Sequence, residues 1–188
     1  MEKEQTKRNR TGRKISMAYQ LSLLGETKRQ SPYILMSLRE EYFEQMKKYN
    51  KKFEYRTRYL KEPTTAFIYI SKTKKSIVGK IDFGTPIIDK SENISEIAEN
   101  EHPGCYQQMM KYLSAGVGYA IPVKKITLIE EVILEELTNK FPGFVVPQSY
   151  YILVKKPELL NYLLQKKDLG EHGEANSKRI LQDDGREL

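Results

Sequence analysis

The chain has 188 residues, the size of one domain with room for tails, and carries a net charge of +7 with only 39% hydrophobic residues. One cysteine excludes a disulfide framework or a cysteine-rich zinc site, and two histidines leave little for metal ligation, so neither a metal nor a cofactor is expected. No apolar run approaches the ~18 residues that span a bilayer, and the N-terminus lacks a hydrophobic signal core, so a soluble cytoplasmic protein without membrane contact is expected.

Along the chain, the first thirty residues hold eight basic residues against three acidic ones, which is +5 of the total. Their few large apolar residues (Ile15, Met17, Leu21, Leu23, Leu24) allow a short helix over 15–24 but can bury little. Residues 1–31 therefore read as a flexible basic arm, and the patterned part is 32–164. The apolar run 32–37 suits a strand. Residues 40–48 place Tyr42, Phe43 and Met46 at helical spacing, and Asn50 is a plausible left-handed stop. Residues 52–58 alternate, with Phe53, Tyr55 and Thr57 on one face and Glu54, Arg56 and Arg58 on the other.

Two further strands, 66–71 and 76–83, flank a basic turn at 72–75, and Gly79 inside the second marks a bulge or bend. A polar insert has helical character at 95–101 and 106–113. Strands follow at 118–121 and 125–130, then a helical turn at 132–137. A late strand at 148–154 precedes a closing helix at 157–164, with Pro157 in its first turn. Residues 165–188 read as a polar, disordered tail. About six short strands with a few helices give an α+β fold, a small curled sheet or barrel.

The stretch with most chemistry is 51–58. One reading makes it the solvated face of an edge strand with weak surface ion pairs. The other makes it a polar cleft, in which Arg56 and Arg58 hold a phosphate or base edge through a fork of donors. Glu54 would then accept from an exocyclic amine or move a proton, and a desolvated Lys51 would act as a base. Lys51 sits nominally on the face opposite Glu54 and joins it only if the preceding turn redirects the chain. Lys72, Lys74 and Lys75 are secondary phosphate contacts, set against the ordinary reading of a solvated hairpin turn. Tyr69 and Tyr119 read as packed aromatics before base-stacking ones. Cys105 with His102 reads as a chance pair, and Ser149 has no local acid/base partner. No phosphate-binding glycine loop occurs.

The segment from Ser37 to Arg56 resembles the opening of an ASCH (activating-signal-cointegrator homology) domain. Members typically carry a strand, a helix and then Gly-x-Lys-x-x-Glu-x-Arg. Lys51, Glu54 and Arg56 match in register. Tyr49 stands where the family usually has Gly, so Asn50 is expected to supply the backbone freedom of the turn. The run from Phe67 to Gly79 is similar to the family's second hairpin, 118–121 to its late strand and 133–137 to its short terminal helix. The resemblance covers about 33–137, extending towards 164.

It implies a PUA-like small mixed β-barrel with helices capping it and the motif in a cleft at its mouth. It also implies RNA, nucleotide or nucleoside binding, with roles in transcriptional or RNA-linked regulation; DNA stays open as a partner, and the oligomeric state is unassigned. Single-stranded or structured RNA suits such a cleft better than duplex DNA, because no recognition helix is evident. Some small members are amidohydrolases of N4-acylated cytidine that use a Lys, a Thr and a Glu. Lys51 matches that Lys, while Glu54 stands where those enzymes have Thr, and Asp82 is a candidate second carboxylate. If the chain is an enzyme, a hydrolase of modified nucleosides or RNA, Lys51 and Glu54 are its expected catalytic residues. A third reading is a protein-interaction accessory with no activity.

Overall fold

The computed structural model describes residues 31–114 and 116–172. The chain divides into Met1–Gln30 and Ser31–Leu188, and the second unit is described here. The expected basic arm and the end of the expected tail lie outside the described residues.

Strand β1 (Tyr33–Leu38) leads into helix α1 (Glu40–Lys47) and strand β2 (Phe53–Arg56). Strands β3 (Thr64–Ile70), β4 (Ser76–Phe83) and β5 (Ile87–Lys90) follow, then helices α2 (Ser91–Glu101) and α3 (Tyr106–Tyr112). Strand β6 (Val117–Ile133) runs into helix α4 (Leu134–Lys140), and β7 (Tyr150–Ile152), α5 (Pro157–Leu164) and β8 (Asp168–His172) close the described chain. The strands form one curled mixed sheet, a half-barrel ordered β2-β6-β4-β3-β1-β7, with β5 and β8 also on β6. β1 and β3 are parallel; the other pairs are antiparallel.

The central strands bury both faces, which is why β1 and β3 read as continuous apolar runs. Ile34, Met36, Ile68 and Ile70 face one core with Phe43 and Met46 of α1. Leu35, Phe67, Tyr69 and Ile77 face another, covered by Leu137 of α4 and by Leu159 and Leu163 of α5. A third cluster joins Tyr55 and Ala120 of the sheet to Ile94 and Ala98 of α2 and to Leu113.

Gly79 sits where the register of β4 slips against both neighbours. A Cβ there would lie 2.8 Å from the Thr127 carbonyl oxygen, so the close approach of β6 requires glycine. The α1–β2 turn differs from expectation. The left-handed residue is Tyr49, at φ 59°, not Asn50. Its N–H reaches Met46 O at 3.1 Å and that of Asn50 reaches Gln45 O at 3.0 Å, the paired bonds of a Schellman end.

Other elements depart from the sequence reading. The two strands expected at 118–121 and 125–130 are one strand, β6. It runs through Pro122, where it passes from pairing with β2 to pairing with β4. The helical turn expected from 132 starts at Leu134, and the late strand shortens to Tyr150–Ile152 before a 3-10 turn at Leu153–Lys155. Strand β5 was not expected. Nor was β8, which takes residues 168–172 out of the expected tail and pairs them with β6.

Candidate functional site

A cavity of about 530 Å³ opens beside β2, between α1, the end of β1, α2 and α3. That size lies within the ~300–1,000 Å³ typical of small-ligand pockets. Lys51, Glu54 and Arg56 all line it. Among the charged residues lining it, three are cations (Arg39, Lys51, Arg56) and one is a carboxylate (Glu54), an arrangement that favours an anion.

Lys51 is 8% exposed. The turn at Tyr49 redirects the chain so that this lysine enters the cavity from the start of β2. Its Nζ lies 4.5 Å from the ring centre of Tyr55 and 5.6 Å from that of Tyr42. Burial pushes its pKa below the ordinary lysine value, and the negative charges of Glu54 and Glu101 oppose the shift without cancelling it.

Glu54 is 6% exposed, although both it and its neighbour Tyr55 are buried and strict alternation would leave one face wet. Two layers make this possible: Tyr55 packs into the third apolar cluster, and Glu54 meets Arg56. Arg56 Nε stands 2.8 Å from Glu54 Oε1, within ion-pair distance. That Nε–H nevertheless lacks an aligned hydrogen-bond acceptor, so the contact is coulombic rather than a directed bond. The other end of the guanidinium donates to Ser37 O at 3.0 Å and to Ser149 Oγ at 3.3 Å. Arg56 thus ties β2 to β1 and to the loop before β7.

Glu101, at the end of α2, braces the same strand. Its Oε1 accepts from the backbone N–H of Lys52 and, at 3.2 Å, from that of Phe53, and its Oε2 accepts from the Tyr55 hydroxyl at 3.0 Å. Burial and this carboxylate push the Tyr55 pKa upward, so the phenol stays protonated. Tyr112 donates to Tyr55 O at 3.3 Å and closes the cavity from α3.

The remaining sequence candidates separate from this group. Arg58 lies beyond β2 and is exposed. Lys72, Lys74 and Lys75 are exposed on the β3–β4 turn, where Lys72 and Lys75 take left-handed φ values and Lys74 pairs with Glu40 at 3.4 Å. None of the four lines the cavity. Asp82 accepts from Thr65 Oγ1 at 2.7 Å away from it, so the second carboxylate near Lys51 is Glu101 instead. Tyr69 packs in the second core and Tyr119 against the first. Cys105 and His102 both line the cavity, but burial raises the Cys105 pKa, the reverse of what a nucleophile needs. Ser149, without a local partner in sequence, meets Arg56 across 93 positions.

The sequence reading missed Tyr42, Gln45, His102, Gln148 and Tyr112 as cavity residues. Tyr42 and Gln45 lie on α1, close in sequence to Lys51; the rest come from segments distant in the chain. Among the described residues no group of three or more His, Cys, Asp or Glu is arranged to hold a metal ion, and no helix is long and apolar enough to cross a membrane.

No protein-family model matches the chain, and no curated protein matches it. Solved structures do. The crystal structure of ASCH from Zymomonas mobilis superposes with a TM-score of 0.61 at 19% identity, covering 72% of this chain and 96% of that one. The serine-to-alanine mutant of that protein gives the same TM-score and identity, covering 73% of this chain and 99% of that one. So does its tyrosine-to-phenylalanine mutant, at 72% and 99%. The fold is that of an ASCH module: α+β, PUA-like, with a half-barrel and five helices among the described residues.

Proposed function

We propose that this ASCH-type module binds RNA or a nucleotide in the cavity beside β2. The observation that carries the reading is the convergence of Lys51, Glu54 and Arg56 in one concave, cation-rich site. An unused strand face would have left them separate in solvent. In the proposed complex Lys51 and Arg39 face the phosphate, and the rings of Tyr42 and Tyr112 offer faces to a base. Arg56 holds the walls together and Glu54 offers an acceptor to a base edge.

The test is titration calorimetry of the full chain with the four ribonucleoside 5′-monophosphates and a short single-stranded RNA. Binding weakened about tenfold or more by Arg56→Lys is expected, because a point ammonium cannot hold Ser37 and Ser149 together. Absence of binding to any of these ligands contradicts the reading.

A second reading, a hydrolase of RNA or modified nucleosides, is favoured by the lowered pKa of Lys51. A desolvated amine that loses its proton more readily can accept one from water or a ligand hydroxyl. Incubation of RNA and of N4-acetylcytidine with pure protein tests it. Turnover that rises with pH and disappears in Lys51→Arg, which cannot deprotonate, supports catalysis. No turnover of either leaves binding as the function.

A further inference from the structure

A second cleft, of about 810 Å³, adjoins the first. Gln45 and His102 line both, so the two clefts lie side by side. The second is lined by Tyr49, Asn50, Lys52, Phe53, Asn100 and Glu101. These residues supply two aromatic rings, two side-chain amides that donate and accept, and one cation. Glu101 is already engaged by Lys52, Phe53 and Tyr55, so its oxygens are not bare towards the cleft. At the junction the His102 Nε2 is buried without a hydrogen-bond partner among the described residues. A buried imidazole nitrogen without a partner is uncommon and leaves the ring unanchored on that side.

Tyr49 points the same way. It holds a left-handed backbone, at φ 59°, while its side chain is 36% exposed on the cleft. Glycine adopts that conformation without steric penalty, and a bulky residue does not. No core packing repays the strain, because Tyr49 belongs to none of the apolar clusters. An aromatic ring kept on a strained turn beside an open cleft fits a ring used for contact.

We propose that this second cleft is the subsite for the neighbouring nucleotide of a single strand, so that the chain's ligand is an oligonucleotide rather than a free mononucleotide. The inference rests on the nucleotide reading of the first cavity. One nucleotide enters the first cavity with its 5′-phosphate at Lys51 and Arg39, the linking phosphate crosses at Gln45 and His102, and the next base stacks on Tyr49 and Phe53. Asn50 and Asn100 meet its edge, and Lys52 faces the strand's backbone.

The experiment is calorimetric titration of the full chain with the four ribonucleoside 5′-monophosphates and the four 5′-phosphorylated homodinucleotides (pApA, pCpC, pGpG, pUpU). The dinucleotides should bind about tenfold more tightly than their monophosphates, the worth of one stacked base. Tyr49→Gly should abolish that gain, leave monophosphate affinity within twofold, and melt no lower than wild type, because glycine relieves the turn. Tyr49→Phe should keep the gain, and Asn100→Ala, on an exposed helix position, should reduce it. Monophosphates that bind with no further gain from the dinucleotides overturn the second subsite alone. A gain that survives both Tyr49→Gly and Asn100→Ala also overturns it. If neither ligand class binds, the reading of the first cavity fails and this one falls with it.

Discussion

Arg56 is the residue on which the site turns. It meets Glu54 at 2.8 Å, reaches Ser37 and Ser149 with its far end, and is half-buried while doing so. Charge-assisted bonds of this kind contribute more than neutral ones, and a half-severed network leaves buried groups unpaired. Arg56→Lys should therefore lower stability by about 2 kcal/mol as well as weaken binding, read by chemical denaturation. Glu54→Gln should keep the fold and change ligand preference, measured across the monophosphate panel, since it removes a charge and keeps an acceptor.

Lys51 makes the opposite case. A lysine whose folded pKa lies below its unfolded value binds protons less readily when folded, so stability rises with pH between the two values. Below the folded pKa, the chain bears the full cost of burying the ammonium. Lys51→Met should thus raise the melting midpoint at neutral pH, with the gain shrinking as pH approaches the ordinary lysine value of 10.5. A gain that does not change with pH would place the effect in packing rather than charge.

At the scale of elements, β4 shows how one residue sets a strand's shape. Gly79→Val would drive a Cβ to 2.8 Å from the Thr127 carbonyl oxygen, so destabilisation of more than ~1 kcal/mol is expected in a denaturation curve. The bend at this glycine was readable because a small residue interrupts a β-branched run. The central strands and α1 were readable for the same kind of reason: burial writes a periodic or continuous apolar pattern. Strand β5 wrote none, because all four of its residues are exposed. Strand β8 is equally exposed where described, and is held by its ladder and by pairs such as Lys80–Asp168 at 2.9 Å and Lys125–Glu171. The division of β6 into two expected strands follows from Pro122 and the lysines after it, which look like a turn until the change of partner is known. The site was half readable. Lys51, Glu54 and Arg56 share one short segment, whereas Tyr112, His102 and Ser149 reach it only through the tertiary fold. The turn was misassigned by one residue because left-handed tyrosine is uncommon and left-handed asparagine is not.

At the scale of the whole molecule, residues 1–30 carry +5 of charge, and on the proposed reading that charge adds to RNA affinity. Deleting them should leave the melting midpoint of the half-barrel unchanged and flatten the dependence of RNA affinity on salt, because fewer counterions are released on binding. An unaltered slope would remove the arm from the interaction. The central claim is that RNA enters the cavity beside β2. Photo-crosslinking a 4-thiouridine-substituted single strand to the full chain, with the adducts mapped by mass spectrometry, tests it most directly. Adducts at Tyr42 or Tyr112, lost on competition with unlabelled strand, are the expected result. Adducts confined to the exposed lysines of the 72–75 turn or to residues 1–30 would contradict it.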